Sequence, residues 1–202
     1  MQIHDVVDLN IAIISASHRS GSQSLRIAEA LRDQFLLGNA DVIDLFDENL
    51  PLWDGEQATM ASNEVASVKA RVKAADGLVM VIPEWHGMVP AGLKNLLLWL
   101  GADELAHKPV LLVGISVSSG GAFVVSEMRA SGYKNSRMLY LPEHLLLRNV
   151  ADLWQQEDAE ADAYISARTR YCVDQLLVYC SAMRPMRESL CEGLAEYPNG
   201  MS

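Results

Sequence analysis

Long apolar runs, paired cysteines and histidines at metal-ligand spacing are all missing from this sequence, and each gap closes off a class of function. The three cysteines, Cys172, Cys180 and Cys191, are an odd number gathered in the last fifth of the chain, with no CxxC pair and no nearby histidines to complete a zinc site. They read as thiols in a reducing cytoplasm. The apolar runs at 78–82 and 109–115 are far too short to cross a bilayer, and the residues after Met1 lack the basic-then-apolar pattern of a secretory leader. A soluble cytoplasmic protein with no membrane partner is therefore expected. Positive charge is scarce too: 16 Lys and Arg stand against 26 Asp and Glu, a formal net charge of −10. Such a field repels a polyphosphate backbone, so nucleic acid is not an expected partner.

What is present is enough hydrophobic residue, 50% of the 202, to build one sizeable core. A single domain spanning 1–202 suffices, since no repeat, low-complexity tract or Pro/Gly-rich linker divides the chain. Leu9–Ile14, Asp41–Leu45, Leu78–Ile82, Val110–Ile115 and Met138–Leu141 are short and rich in Val, Ile and Leu, as buried parallel strands are. Between them Ile27, Leu31 and Phe35, then Val65, Val68, Val72 and Ala75, then Leu93, Leu96, Leu97 and Leu100 recur at helical spacing. A fourth helix is expected over Ala122–Ala130, ending near Gly132. A long fifth one carries Ala161, Ile165, Arg168, Cys172, Leu176 and Tyr179 on one face, with Arg168 an unexpected member. Strict β/α alternation yields a parallel sheet covered on both faces, and ligands of such sheets bind beyond the carboxyl ends of the strands. Chemistry is expected after strands one, three and four.

After strand one, Ser15-Ala-Ser-His-Arg-Ser-Gly-Ser-Gln-Ser24 crowds five serines and Arg19 into the turn before a helix. Free N–H groups at the helix start, serine hydroxyls and a guanidinium suit a terminal monophosphate. The turn is neither Gly-x-Gly-x-x-Gly nor a P-loop, which disfavours dinucleotides and triphosphates there. The plainer alternative makes the serines N-caps and solvated turn residues, and His18 a solvated loop residue. Strand three ends in Pro83-Glu84-Trp85-His86-Gly87-Met88-Val89-Pro90, where two prolines stiffen the loop and Gly87 lets a flat ligand approach the backbone. A purely structural strand-to-helix connection is the alternative. Ser116-Val-Ser-Ser119-Gly120-Gly121 follows strand four and offers room and N–H donors to a ring edge.

Together these segments, over about residues 9–132, resemble the NADPH-dependent FMN reductase family, the flavodoxin-like group that includes chromate, quinone and azo-dye reductases. Its members carry a Gly-Ser-x-Arg-x-x-Ser-x-Asn phosphate loop, a Pro-Glu-Tyr-Asn-x-x-x-Pro-x-x-Leu-Lys-Asn ring loop and a Ser/Gly-rich third loop. The resemblance implies a three-layer α/β sandwich with a five-stranded parallel sheet of order 2-1-3-4-5, bound FMN, and NADPH or NADH as co-substrate. It implies Ser17, Arg19, Ser22 and Ser24 around the phosphate, Pro83, Glu84, Trp85, His86 and Gly87 along the ribityl chain and ring, and Ser116, Ser119 and Gly120 at the ring edge. Leu93-Lys94-Asn95 matches the helix after the ring loop. The chain departs from the family at Ala16 for Gly, Ser24 for Asn, Trp85 for Tyr, His86 for Asn and Leu98 for an acid. Gly120 and Gly121 also come one residue closer to Ser116 than in the family.

On this reading the chain passes hydride from NAD(P)H through FMN to a flavin, quinone or similar small acceptor, as a homodimer or homotetramer, with no protein acid or base and no metal. Two other readings stand beside it: an electron carrier of the same fold that never meets a nicotinamide, and an interaction protein whose pocket has decayed. His86 is either a titratable donor beside the ring, which makes the reaction pH-dependent near neutrality, or a solvent-facing residue without effect. Leu50, Leu52 and Trp53 are expected to cover a core edge or a subunit interface, and Trp53 and Trp85 to wall the site or an interface or else to be core aromatics. Residues 185–202 are expected as an arm on a neighbouring subunit or a disordered tail.

Overall fold

The computed structural model describes residues 9–155 and 162–199. Five strands, β1 (Ile11–Ser15), β2 (Ala40–Asp44), β3 (Gly77–Pro83), β4 (Pro109–Ile115) and β5 (Leu139–Leu147), alternate with five layer-forming helices. These are α1 (Gln23–Ala30), α2 (Asn63–Ala74), α3 (Ala91–Trp99), α4 (Ala122–Arg129) and α5 (Ala163–Met183). Every strand pair is parallel and the order is β2-β1-β3-β4-β5, the flavodoxin-like arrangement. Ser22 starts α1 and Ser62 starts α2, each hydroxyl accepting from the N–H three residues on, at 3.1 and 3.5 Å.

Although β1, β3 and β4 read as unbroken apolar runs, their side chains alternate between two cores, as period-two geometry requires. Ala12, Ile14, Leu78, Met80, Val110 and Leu112 face α2, α3 and α4 through Val68, Val72, Leu93, Leu96 and Met128. Ile11, Ile13, Val79, Val81, Leu111 and Val113 face α1 and α5 through Ile27, Leu31, Cys172 and Leu176.

Two expectations need correction. The fifth strand runs to Leu147 instead of stopping at Leu141. It is an edge strand, only alternately buried, and its middle holds Pro142, Glu143 and His144, so the apolar run breaks off while the strand continues. A register shift opposite Val110 and Leu112 marks the irregularity, and Arg129 of α4 donates to the carbonyls of Leu141 and Pro142, at 2.7 and 2.9 Å. On α5 the buried face is Thr169, Cys172, Val173, Leu176 and Cys180; Arg168 pairs with Glu143 and lies over the Tyr171 ring, and Tyr179 is exposed. Ala161 lies outside the described residues. As far as Asn199, the tail contacts its own chain. Arg187 donates to the Ala106 carbonyl at 3.3 Å, and Arg137 donates to the carbonyls of Tyr197 and Pro198.

Candidate functional site

The carboxyl ends of β1, β3 and β4 bring the three loops together, as the parallel topology dictates. Ser17, Arg19, Ser22, Ser24, Pro83, Glu84, Trp85 and Ser116 line one cavity of about 360 Å³. Its first wall is the β1–α1 turn. Ser17 is buried and its Oγ accepts from the Arg19 N–H at 3.2 Å, which shapes the turn. Ser22 is the N-cap, so the plainer reading of the serines holds at this position. Ser24, one turn residue further in, is different: its side chain is 1% exposed and its hydroxyl has no partner in the chain. A buried hydroxyl without a hydrogen bond is costly, and one lining a cavity at a helix start is placed to bond a ligand. The N–H groups of Gln23 and Ser24 precede the first intrahelical bonds of α1 and point the same way.

Arg19 carries the loop's positive charge. Its guanidinium carbon lies 5.3 Å from the centroid of the Trp85 ring, so the stacked pair joins the phosphate loop to the ring loop. The pair also walls a neighbouring hollow of about 450 Å³, shared with Ser17 and Pro83 and bounded by His18 and Pro90. His18 is more than a solvated loop residue. A Cβ on Gly92 would fall 1.5 Å from its imidazole Cε1, so the ring rests on the bare backbone that opens α3.

The ring loop is tied down by two carboxylates. Glu84 Oε2 accepts from the N–H groups of Gly121 and Phe123, both at 2.9 Å, so it caps α4 and latches the ring loop to the third loop. Its role is wider than lining the cavity. Glu127 of α4 accepts from Val89 N–H at 2.7 Å and pairs with Lys94, which holds its carboxyl below the usual range. The Leu93-Lys94-Asn95 stretch thereby resolves into three jobs. Leu93 is buried core, Lys94 neutralises Glu127, and Asn95 clamps the preceding loop through Pro51 O and Trp53 N–H, each at 2.8 Å. Leu50 packs on the core edge, as expected, while Leu52 and Trp53 stay exposed.

Behind the third loop, β4 has a glycine for a steric reason. A Cβ at Gly114 would lie 2.1 Å from the Gly121 carbonyl oxygen, and Gly121 itself has φ +101°. The loop is then held from the far side by residues after β5: Val150 N–H donates to Ser116 O, Asn149 N–H to Ser118 O and Arg148 Nε to Gly120 O, at 3.2, 3.2 and 3.0 Å. Arg26 of α1 grips the same segment through the carbonyls of Val150 and Leu153. Ser119, Gly120, His86 and Gly87 do not line the 360 Å³ cavity. His86 is exposed with φ +53°, and Gly87 has φ +71°.

Val150, which lines the cavity, and Arg148 and Arg26, which support it, were not among the expected residues. Once β5 is ended at Leu141, residues 148–150 fall off the sheet; extended to Leu147, the strand delivers them to the same mouth. A larger hollow of about 890 Å³ lies elsewhere, between α3, α4, residues 131–137 and the tail, and none of the three loops reaches it. Among the described residues there is no His/Cys/Asp/Glu group able to hold a metal ion and no helix long and apolar enough to cross a membrane.

The arrangement suits a single phosphate monoester followed by a flat, partly polar ring: one guanidinium, free hydroxyls and helix-start amides at one end, stiff loops and exposed aromatics at the other. Comparison with known proteins agrees. The family described as NADPH-dependent FMN reductase matches residues 9–152. The NADPH azoreductase of Bacillus sp. (strain OY1-2) is 29% identical over 186 residues, covering 90% of this chain and 98% of that protein. The quinone reductase of Escherichia coli (strain K12) is 36% identical over 101 residues, 48% of this chain and 51% of that one. FerB, a flavoenzyme NAD(P)H:(acceptor) oxidoreductase from Paracoccus denitrificans, superimposes with a TM-score of 0.69 at 18% identity, over 87% of this chain and 99% of its own.

Proposed function

We propose, from the premise that this chain belongs to the NADPH-dependent FMN reductase family, how its own residues serve that family's oxidoreductase chemistry. The chain is an FMN-dependent NAD(P)H oxidoreductase acting on small-molecule acceptors, and quinones and azo compounds are the acceptor classes its relatives suggest. When bound, FMN supplies the redox centre that no side chain of the cavity provides. Arg19, the Ser24 hydroxyl and the first amides of α1 hold the phosphate, with Ser22 capping the helix that presents them. Pro83, Trp85 and Gly87 shape the surface on which the ring lies, and the amides of Ser119 and Gly120 serve its polar edge. Glu84 fixes the two loops against each other. His86, exposed on the loop, is assigned no proton-transfer step.

The observation that carries this reading is Ser24, a buried hydroxyl without a partner in the cavity that Arg19 also lines. It supports a bound phosphate group where the serines at Ser17 and Ser22 alone would support only a well-capped helix. The exposed apolar side chains Leu52, 82% accessible, and Leu98, 58% accessible, support a homo-oligomer, a homodimer or homotetramer. Unpaired thiols at Cys172, Cys180 and Cys191 support a cytoplasmic location. The test is to load the protein with FMN and titrate NADPH, then NADH, without oxygen while following flavin absorbance. Bleaching supports the reductase. Tight FMN binding without bleaching moves the assignment to an electron carrier, and no binding moves it to an interaction protein.

A further inference from the structure

Of the three phenylalanines, Phe35 is buried and lies against Trp154, whereas Phe123 is 69% exposed. An exposed phenyl adds little to folding, yet its backbone is held firmly: its N–H donates to Glu84 Oε2 at 2.9 Å. Its ring lies beside the bare backbone of Gly87, where a Cβ would stand 3.8 Å from Phe123 Cγ and Cδ2. Trp85 and Met88 flank Gly87 and pair with each other across it, at 51% and 54% exposure, while Val117 of the third loop is 67% exposed; Trp85 and Val117 also line the cavity. The Glu84 latch and the contact at Gly87 bring Phe123 against the Trp85–Met88 turn, and through Trp85 this rim continues the cavity outward.

We propose that Phe123 determines acceptor specificity by stacking on planar aromatic acceptors at this rim, a step beyond the functional reading above that rests on it. A phenyl face rewards a flat, apolar ring system and offers nothing to a compact inorganic acceptor. The Glu84 carboxylate positions the face, and Gly87 leaves space beside it.

The unaltered FMN-loaded protein is first treated with NADPH without oxygen; failure to bleach overturns the functional reading and this inference with it. With bleaching established, Phe123→Ala is expected to raise KM for a naphthoquinone about three- to tenfold. Binding of redox-silent 2-naphthol, followed by equilibrium dialysis, weakens by the same factor. KM for ferricyanide and the Kd for FMN stay unchanged, and Phe123→Trp restores both aromatic readouts. An unchanged naphthoquinone KM, or an equal loss with ferricyanide, overturns the inference and leaves the reductase standing. A fall in sedimentation coefficient in Phe123→Ala also overturns it, by assigning the ring to an interface between copies.

Discussion

The two ends of the sheet are built on opposite terms. At the amino-terminal end, polar groups are spent on the chain itself. Asp76 and Asn10 exchange backbone and side-chain bonds at 2.7 and 2.9 Å, and Lys69 reaches Trp99 O. Lys108, with no exposed surface, donates to the last carbonyls of α2 at Val72 and Lys73. At the carboxyl end, Ser24 keeps an unused hydroxyl, α1 keeps free amides, and aromatic rings stand in solvent. One end is closed by self-complementarity and contributes stability. The other is left incomplete, which lowers the stability of the empty protein and leaves bonds for a ligand.

The largest effect that would break this comparison is expected at Lys108. Burial lowers its pKa from 10.5 to about 7. Above pH 7 the folded chain has released this proton while the unfolded chain still holds it, so stability should rise with pH. The slope approaches about 1.4 kcal/mol per pH unit between pH 7 and 9. Above pH 9 the buried Cys180 thiol, pushed up to about 12, works in the opposite direction and flattens the rise. Denaturant unfolding of the unaltered protein and Lys108→Met at pH 7, 8 and 9 tests this; equal slopes would show that the base holds no such charge. FMN affinity should be the same in both proteins.

Arg19→Ala should do the converse, weakening FMN roughly thirtyfold, about 2 kcal/mol, with little change in the melting temperature of the flavin-free protein. Fluorescence titration with FMN and a thermal scan measure the two quantities, and a large loss of stability would mean that the Arg19–Trp85 stack belongs to the fold. Glu84→Gln bridges the two regimes. It should lower stability by about 1 kcal/mol and reduce hydrogen-exchange protection at the Gly121 and Phe123 amides while the strands remain protected. Protection unchanged at those amides would remove the latch. Ser24→Ala is the smallest and sharpest contrast: the flavin-free protein should be as stable or slightly more so, while FMN binding loses about fivefold, or 1 kcal/mol. A destabilised empty protein would mean that the hydroxyl serves the chain.

Legibility in the sequence follows the same division. β1, β3 and β4 are continuous runs of Val, Ile and Leu because both their faces are buried, and the loops after them can be found by counting from their ends. The edge strand β5 carries Pro142, Glu143 and His144 within it, so pattern alone ends it early, and with it go Arg148 and Val150. Residue type marked Glu84 for the site but could not show that its oxygen is directed at the amides of α4. Arg168 and Tyr179 were misplaced because a stripe at helical spacing admits neighbouring residues, and only the packing against Cys172 and Cys180 selects among them.

The irregular fifth strand has a consequence for life in a concentrated solution. An open sheet edge invites another strand, whether from a second copy or from a misfolded chain. Here the inviting edge is interrupted by a proline and a register break, two of its carbonyls are covered by Arg129, and the Glu143–Arg168 pair places full charges beside it. At this edge a neighbouring β-strand finds no continuous ladder to extend, so the edge is a poor template for fibrous growth.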